Sequence, residues 1–472
     1  MFKPDEQLIK QIDRWLEENK EPFVRDLSRI VKIPSISESG EGIYPFGKNC
    51  GRALDEMTSL AAEYGFSIEN HEYYFGTILE QGHSVKPKTI GLYAHLDVVP
   101  IGEGWNYPPL ECTQKEGFLI GRGVGDNKGP AICALYALRF FREHGIKLKN
   151  NVQIFYGCSE ETGMQDIDYF CKQMEMPDFN LVLDTNFPVC YGEKGLMRTK
   201  VVGNTEGNLI SLHAGTVINV IPAKAEAVIS GVEFEKTKHI FEKDEQIFVY
   251  QEGENVKIVS KGLSKHAAFP EDAINAIYVL AHALSSNDLI EGKDKETISV
   301  IETLTSDFYG FTCGIPFEDL ESGRLTCVGS ILSIEKNQME MRFDIRYPVT
   351  IDGDVVAQKF VNEVNNMGFD VIIEVISEPA YMPLENDYIK CLGEICDYVQ
   401  GRHYEPYTMG GGTYSRHLTN AIGFGPGVPD APNIFENGHG QGHQPDECIS
   451  EDLLYKGIKT YVMAILELDN ML

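Results

Sequence analysis

The sequence predicts an α/β protein with an α+β segment inserted into it. Apolar strand-like runs alternate with helical spacing from about residue 89 to 184, the pattern of a central mixed, largely parallel sheet flanked by helices. After about Pro188 the runs shorten and turn signals crowd between them, and near residue 387 the earlier style returns. A chain of 472 residues exceeds one ordinary core, so two domains are expected. One is discontinuous, residues 1–189 and 381–472; the other is inserted, residues 190–380.

In chain order, Leu8, Ile9, Ile12, Trp15 and Leu16, then Phe23, Val24, Leu27, Ile30 and Val31 have helical spacing, with Pro34 as a stop. Met57, Leu60, Ala61 and Tyr64 form a second helical face that ends at Gly65. Lys88 to Tyr93 is a buried strand, with His95 and Asp97 just past its end. Pro130 to His144 is a helix opened by Gly129-Pro130 and closed by Gly145. Val152 to Tyr156 is a strand leading to Glu160 and Glu161, Phe170 to Met174 lies in a short helix, and Leu181 to Leu183 is a strand leading to Asp184. Ligands collect at the carboxyl ends of strands in such sheets, and the polar candidates sit at these ends. Shorter strands follow at 197–204, 208–213, 224–230, 247–260, 324–333 and 338–347, interrupted by helices at about 271–285 and 353–366. The ending has a helix near 387–399, a glycine-rich loop at 410–412, and a final helix carrying Leu453, Leu454, Ile458, Tyr461, Val462 and Ile465.

Composition narrows the function. The hydrophobic fraction of 43% and charged fraction of 24% are those of a soluble globular protein, and no apolar run reaches the roughly 18 residues a membrane span needs. A net charge of −30 disfavours nucleic acid and anionic membranes as partners. The polar start and eleven scattered cysteines with no CxxC pair point to reduced thiols and a cytoplasmic location.

His95 and Asp97 share one side of an extended segment, so Asp97 can approach the imidazole. Alone, a strand-end histidine is more often structural. Asp126 follows a glycine-rich run that matches neither the Walker loop nor the dinucleotide fingerprint in spacing; its ordinary role would be a helix cap. Glu160 and Glu161 would ordinarily be solvated, but adjacent carboxylates can divide labour, one holding a cation and one taking a proton from water. Asp184 alone would be a turn residue, and His439 and His443 alone would be surface histidines. As a set, the histidines and carboxylates are ligands suited to zinc, cobalt or manganese.

Taken in order, these motifs resemble the co-catalytic zinc metallopeptidase family that includes aminoacylase, succinyl-diaminopimelate desuccinylase, glutamate carboxypeptidase and carnosinase. Within it the chain looks most like the peptidase V-like dipeptidases, over nearly its whole length. The resemblance implies a zinc-peptidase-like catalytic domain with an inserted lid, and two divalent metal ions, zinc foremost with cobalt or manganese as alternatives. His95 and Asp184 would bind one metal, Glu161 and His443 the other, and Asp126 both, with a cis peptide joining Asp126 to Asn127. Asp97 would orient His95 and Glu160 would be the general base. His443 is preferred to His439 because Asp446-Glu447 follows it at short distance. Gly262-Leu263-Ser264-Lys265-His266 resembles the family's lid histidine motif, which would make His266 the oxyanion donor. Asn219 would bind substrate, as would Arg346, through the substrate carboxylate, and Gly412. Many relatives have an aspartate where Tyr414 stands; the Gly-Gly-Gly-Thr-Tyr form of residues 410–414 resembles the dipeptidase branch. The implied activity is metal-dependent hydrolysis of dipeptides, β-alanyl ones included, by a monomer; the alternative is deacylation or desuccinylation of an N-acyl amino acid.

Overall fold

The computed structural model describes residues 3, 5–40, 42–436 and 438–472. The chain divides into two compact units. The first comprises the residues up to Gly192 with Ala380–Thr408 and Thr413–Leu472. The second comprises Glu193–Pro379 and also takes in Met409–Gly412, four residues expected with the first domain.

The centre of the first unit is a run of strands in the order Phe75–Glu80, Asn151–Gly157, Thr89–His95, Phe179–Val182 and Ala421–Gly423. The last four are mutually parallel, and Phe75–Glu80 is antiparallel to its neighbour. Alternation along a strand sends neighbouring side chains to opposite faces. Ile90, Leu92, Ala94, Ile154 and Tyr156 therefore enter the large core, while Tyr93 and Phe155 enter a smaller one with Phe75, Phe170, Val182 and Tyr414. On the large-core side the helix Lys128–Glu143 is buried on nearly every face. Trp15 and Phe23 of the helix Glu6–Val31 meet its Tyr136 edge to face, at centroid distances of 6.0 and 5.2 Å, and the Tyr136 hydroxyl donates to buried Asp26 at 2.6 Å. The helices Lys48–Glu63, Asp387–Gln400 and Glu451–Met471 contribute to the same core. The short helix Gln165–Gln173 closes the other face.

The parallel register fixes what happens at the strand ends. His95 pairs with Gly157 and Tyr93 with Val182, so His95, the 158–161 loop and Asp184 emerge side by side. The Thr89–His95 strand runs two residues further than expected, so His95 is its last residue rather than just past it.

The second unit is built on an eight-stranded antiparallel sheet. Its order is Ile247–Glu252, Asn255–Lys261, Lys224–Ile229, Leu209–Ala214, Thr326–Glu335, Gln338–Tyr347, Gly195–Asn204, Asp370–Ser377. The helices Ala276–Ser286, Asp294–Thr305 and Gly353–Asn366 share its core. The first of these starts at Ala276, not near 271, because Asn275 caps it by accepting the Ile277 N–H at 2.9 Å. Among the described residues no helix is long and apolar enough to cross a membrane.

Candidate metal centre and active site

Two imidazoles, one at a strand end and one from a loop, meet at one carboxylate. His95 Nε2 lies 3.1 Å from Asp126 Oδ1 and 3.7 Å from Asp184 Oδ2. His443 Nε2, from the loop before the last helix, lies 3.1 Å from Asp126 Oδ2 and 3.1 Å from Glu161 Oε1. The Asp126 carboxylate thus offers each oxygen to a different histidine. A Glu160 carboxylate oxygen lies within 4.8 Å of ligand atoms of both His95 and Asp184. The structure therefore brings together His95, Asp126, Glu160, Glu161, Asp184 and His443. His439 pairs instead with Asp446, its Nδ1 2.8 Å from Oδ2.

Buried groups behind the cluster hold its backbone. His95 Nδ1 is 3.0 Å from the Asp97 carbonyl oxygen and 3.4 Å from its carboxylate. The Asp97 side chain also accepts the N–H groups of Glu160 and Glu161 at 3.2 and 3.1 Å. Asn127, joined to Asp126 by a cis peptide, donates to Asp184 Oδ1 at 2.9 Å and to the Leu183 carbonyl at 2.7 Å. Gly123 has a φ of +90° and a Cβ there would lie 2.9 Å from Lys128 Cδ, so the turn into the Lys128–Glu143 helix needs a glycine.

Glu447 is the anchor of the Asp126 loop, a role that does not follow from the sequence motif alone. It accepts N–H groups from Gly123, Gly125 and Asp126 at 3.1, 3.0 and 3.1 Å, and the Arg122 guanidinium at 2.7 Å. Both side chains are 1% exposed. Removing one member of a buried pair strands the other. Glu447→Ala is expected to cost about 3–5 kcal/mol of stability, measured by denaturant unfolding; a midpoint equal to that of the unmodified protein would contradict this.

The electrostatics of the cluster are those of carboxylates crowded around two imidazoles. Burial opposes a charge on His95, yet hydrogen bonds with Asp126 and Asp97 and the charge of Asp184 hold it well above the usual imidazole value. Hydrogen bonds to the Asp126 and Glu161 carboxylates push His443 up to about 11 against partial desolvation. Burial works against ionisation of Asp126, but the same two imidazoles keep its carboxyl well below the usual range. Burial pushes Glu160 well up, and the charges of Asp184, Glu161 and Asp97 add to the shift against the opposing effect of His95. Divalent ions displace such protons.

Donor chemistry and spacing fit metal ions. The cluster presents imidazole nitrogens and carboxylate oxygens, and no thiol joins either candidate triad. Cys158, close in sequence, is buried with its thiol turned to the Cys50 carbonyl. Ligands bound tetrahedrally at about 2.0–2.1 Å stand about 3.3 Å apart, and the nitrogen–oxygen separations here are 3.1 to 3.7 Å.

The other candidate residues lie in the second unit. His266 Nδ1 accepts the Ala268 N–H at 3.2 Å, and its Nε2 is 3.5 Å from Asn219 Nδ2. Arg346 is 6% exposed; its guanidinium donates to both carboxylate oxygens of Asp344 at 2.8 and 3.4 Å and to the Gly410 carbonyl at 2.6 Å. The fork expected to meet a ligand is therefore already oriented by Asp344. Gly412 closes the short segment Met409–Gly412 of the same unit.

A fold of this class, with two histidines sharing one aspartate, agrees with the sequence profile of peptidase family M20/M25/M40, which matches residues 91–467. The chain belongs to that family, a family of hydrolases acting on peptide bonds. It is 30% identical over 466 residues to YtjP of Bacillus subtilis (strain 168), a candidate dipeptidase, covering 95% of this chain and 97% of that one. It is 28% identical over 469 residues to the Beta-Ala-Xaa dipeptidase of Lactobacillus delbrueckii subsp. lactis, covering 96% and 97%. Among solved structures, human carnosine dipeptidase 1 superposes with a TM-score of 0.62 at 14% identity over 99% of this chain and 100% of that one, a likeness of fold.

Proposed function

We propose that this protein hydrolyses the peptide bond of dipeptides, with Glu160 as general base. The observation that carries the reading is the Asp126 carboxylate, whose oxygens stand 3.1 Å from two different imidazoles with Glu160 close by. The dipeptidase names borne by relatives that span almost the whole chain support the substrate class. His95 and Asp184 would hold one divalent ion, Glu161 and His443 another, and Asp126 both; zinc, cobalt and manganese suit these donors. Such ions, when bound, polarise a carbonyl and acidify a water molecule.

Glu160 takes a proton from the attacking water and returns it to the leaving amine. Asp97 keeps the Glu160 backbone in place and accepts the His95 Nδ1 proton, which leaves Nε2 as a ligand. We assign the substrate contacts to the second unit. His266 offers its Nε2–H to the carbonyl oxygen as negative charge develops, and Arg346, whose Nε and Nη2 pair with Asp344, offers its remaining terminal N–H groups to the terminal carboxylate. Asn219 and Gly412 complete these contacts. All eleven cysteines are free thiols, which supports a reducing, cytoplasmic setting, and we take the monomer as the working form.

A panel of α- and β-alanyl dipeptides, tripeptides and N-acetyl and N-succinyl amino acids tests this on gel-filtered protein. Dipeptide hydrolysis eluting with the monomer, lost with chelator and restored by added zinc, cobalt or manganese, is expected. Rapid deacylation with inert dipeptides would overturn the substrate assignment.

A further inference from the structure

The loop that carries Glu160 is suspended by its backbone from two buried carboxylates. Four consecutive N–H groups are involved. Those of Cys158 and Ser159 donate to Asp166 Oδ2 at 2.7 and 2.8 Å, and those of Glu160 and Glu161 donate to Asp97 at 3.2 and 3.1 Å. Asp97 also contacts His95, but Asp166 touches none of the candidate metal ligands. It stands in the first turn of the Gln165–Gln173 helix, 0% exposed. The same Oδ2 accepts the Tyr414 hydroxyl at 2.6 Å.

Tyr414 is itself fixed. It opens a single 3-10 turn, Tyr414–His417, capped by Thr413, whose Oγ1 accepts the Ser415 N–H at 3.2 Å. Its ring is 1% exposed and meets Phe155 edge to face at 5.3 Å. Gly157 makes room for the pair: a Cβ there would lie 2.0 Å from the Tyr414 oxygen and 2.4 Å from Asp166 Oδ2. Gly157 is the strand partner of His95, so phenol and carboxylate cross the strand end directly behind the cluster. Without the phenol, Asp166 would retain only backbone donors, and nothing from the Tyr414 turn would fix its rotamer.

We propose that Tyr414 and Asp166 are positioning residues for Glu160, the phenol locking the carboxylate and the carboxylate locking the loop that bears the base. The proposal rests on the peptidase reading above, and its test includes a readout independent of turnover. A base displaced by a fraction of an ångström loses rate more than affinity. Tyr414→Phe deletes one oxygen and leaves the ring packed, so a kcat lowered about tenfold is expected, with KM within about twofold, metal content unchanged and melting temperature within a few degrees. In a double-mutant cycle with Asp166→Asn, the second substitution adds little to the first, since both act through one contact. Hydrogen exchange followed by mass spectrometry should show faster exchange in Tyr414→Phe, confined to peptides covering residues 158–161.

Unchanged exchange in that segment overturns the proposal, whether or not the unmodified protein hydrolyses any member of the dipeptide panel. Wild-type kcat in a metal-loaded Tyr414→Phe also overturns it. So does a fall in kcat accompanied by equal losses of metal and melting temperature, which would mark a merely structural contact. An inert unmodified protein would instead count against the proposed function.

Discussion

Replacing Glu160 with alanine is expected to lower kcat by about 10²–10⁴-fold, the span typical of a positioned acid–base group, with metal content unchanged. Glu160 lies beside the cluster, yet its carboxylate is absent from the four nitrogen–oxygen contacts that His95 and His443 make with Asp126, Asp184 and Glu161. The first candidate triad joins it to His95 and Asp184, so it sits close enough to serve a water there. Asp97 grips its backbone N–H, so truncating the side chain leaves the loop in place. Glu160→Gln should match the alanine variant, because the amide keeps the shape and loses the basicity. Steady-state kinetics with metal analysis on the same samples checks this. Activity within about tenfold of the unmodified enzyme would remove Glu160 from the chemistry.

Asp126→Ala is expected to abolish activity through a different route, by loss of both ions. Each Asp126 oxygen faces a different imidazole, and the side chain is the only carboxylate 3.1 Å from both His95 and His443 among the described residues. Without it, His95 retains Asp97 and Asp184, and His443 retains Glu161, as carboxylate neighbours within salt-bridge distance. The backbone stays anchored, because the Asp126 N–H goes to Glu447 and not to its own side chain. The variant should fold, bind zinc far more weakly, and lose the extra melting temperature that metal confers on the unmodified protein. Calorimetric titration of metal-free protein measures this; two tight equivalents in the variant would contradict it.

Three of the four parallel strands of the first unit are legible in the sequence, because hydrophobic runs leading to His95, Glu160 and Asp184 carry both the strand signal and the site; Ala421–Gly423 is too short to show. The helix Asp294–Thr305 and the strand Asp370–Ser377 were not anticipated. That helix opens on charged residues, and its buried Asp294 accepts the Leu209 N–H at 2.8 Å. The strand lies at a sheet edge, with an irregular exposure pattern in place of clean alternation. The supports of the site were hidden for a related reason. Tyr414 meets Asp166 across 248 residues and Glu447 meets Arg122 across 325, so neither pair leaves a local period. Asp166 looks like an ordinary first-turn acid. Arg346 was expected to meet a ligand, and the Asp344 carboxylate that aims it lies two residues away in the same strand.

The central claim is that Asp126 joins two metal ions. Anomalous diffraction at the zinc edge from crystals of zinc-loaded protein tests it most directly. Two peaks are predicted, one between Asp126 Oδ1, His95 and Asp184, the other between Asp126 Oδ2, Glu161 and His443. A single peak, or peaks away from Asp126, would contradict the account.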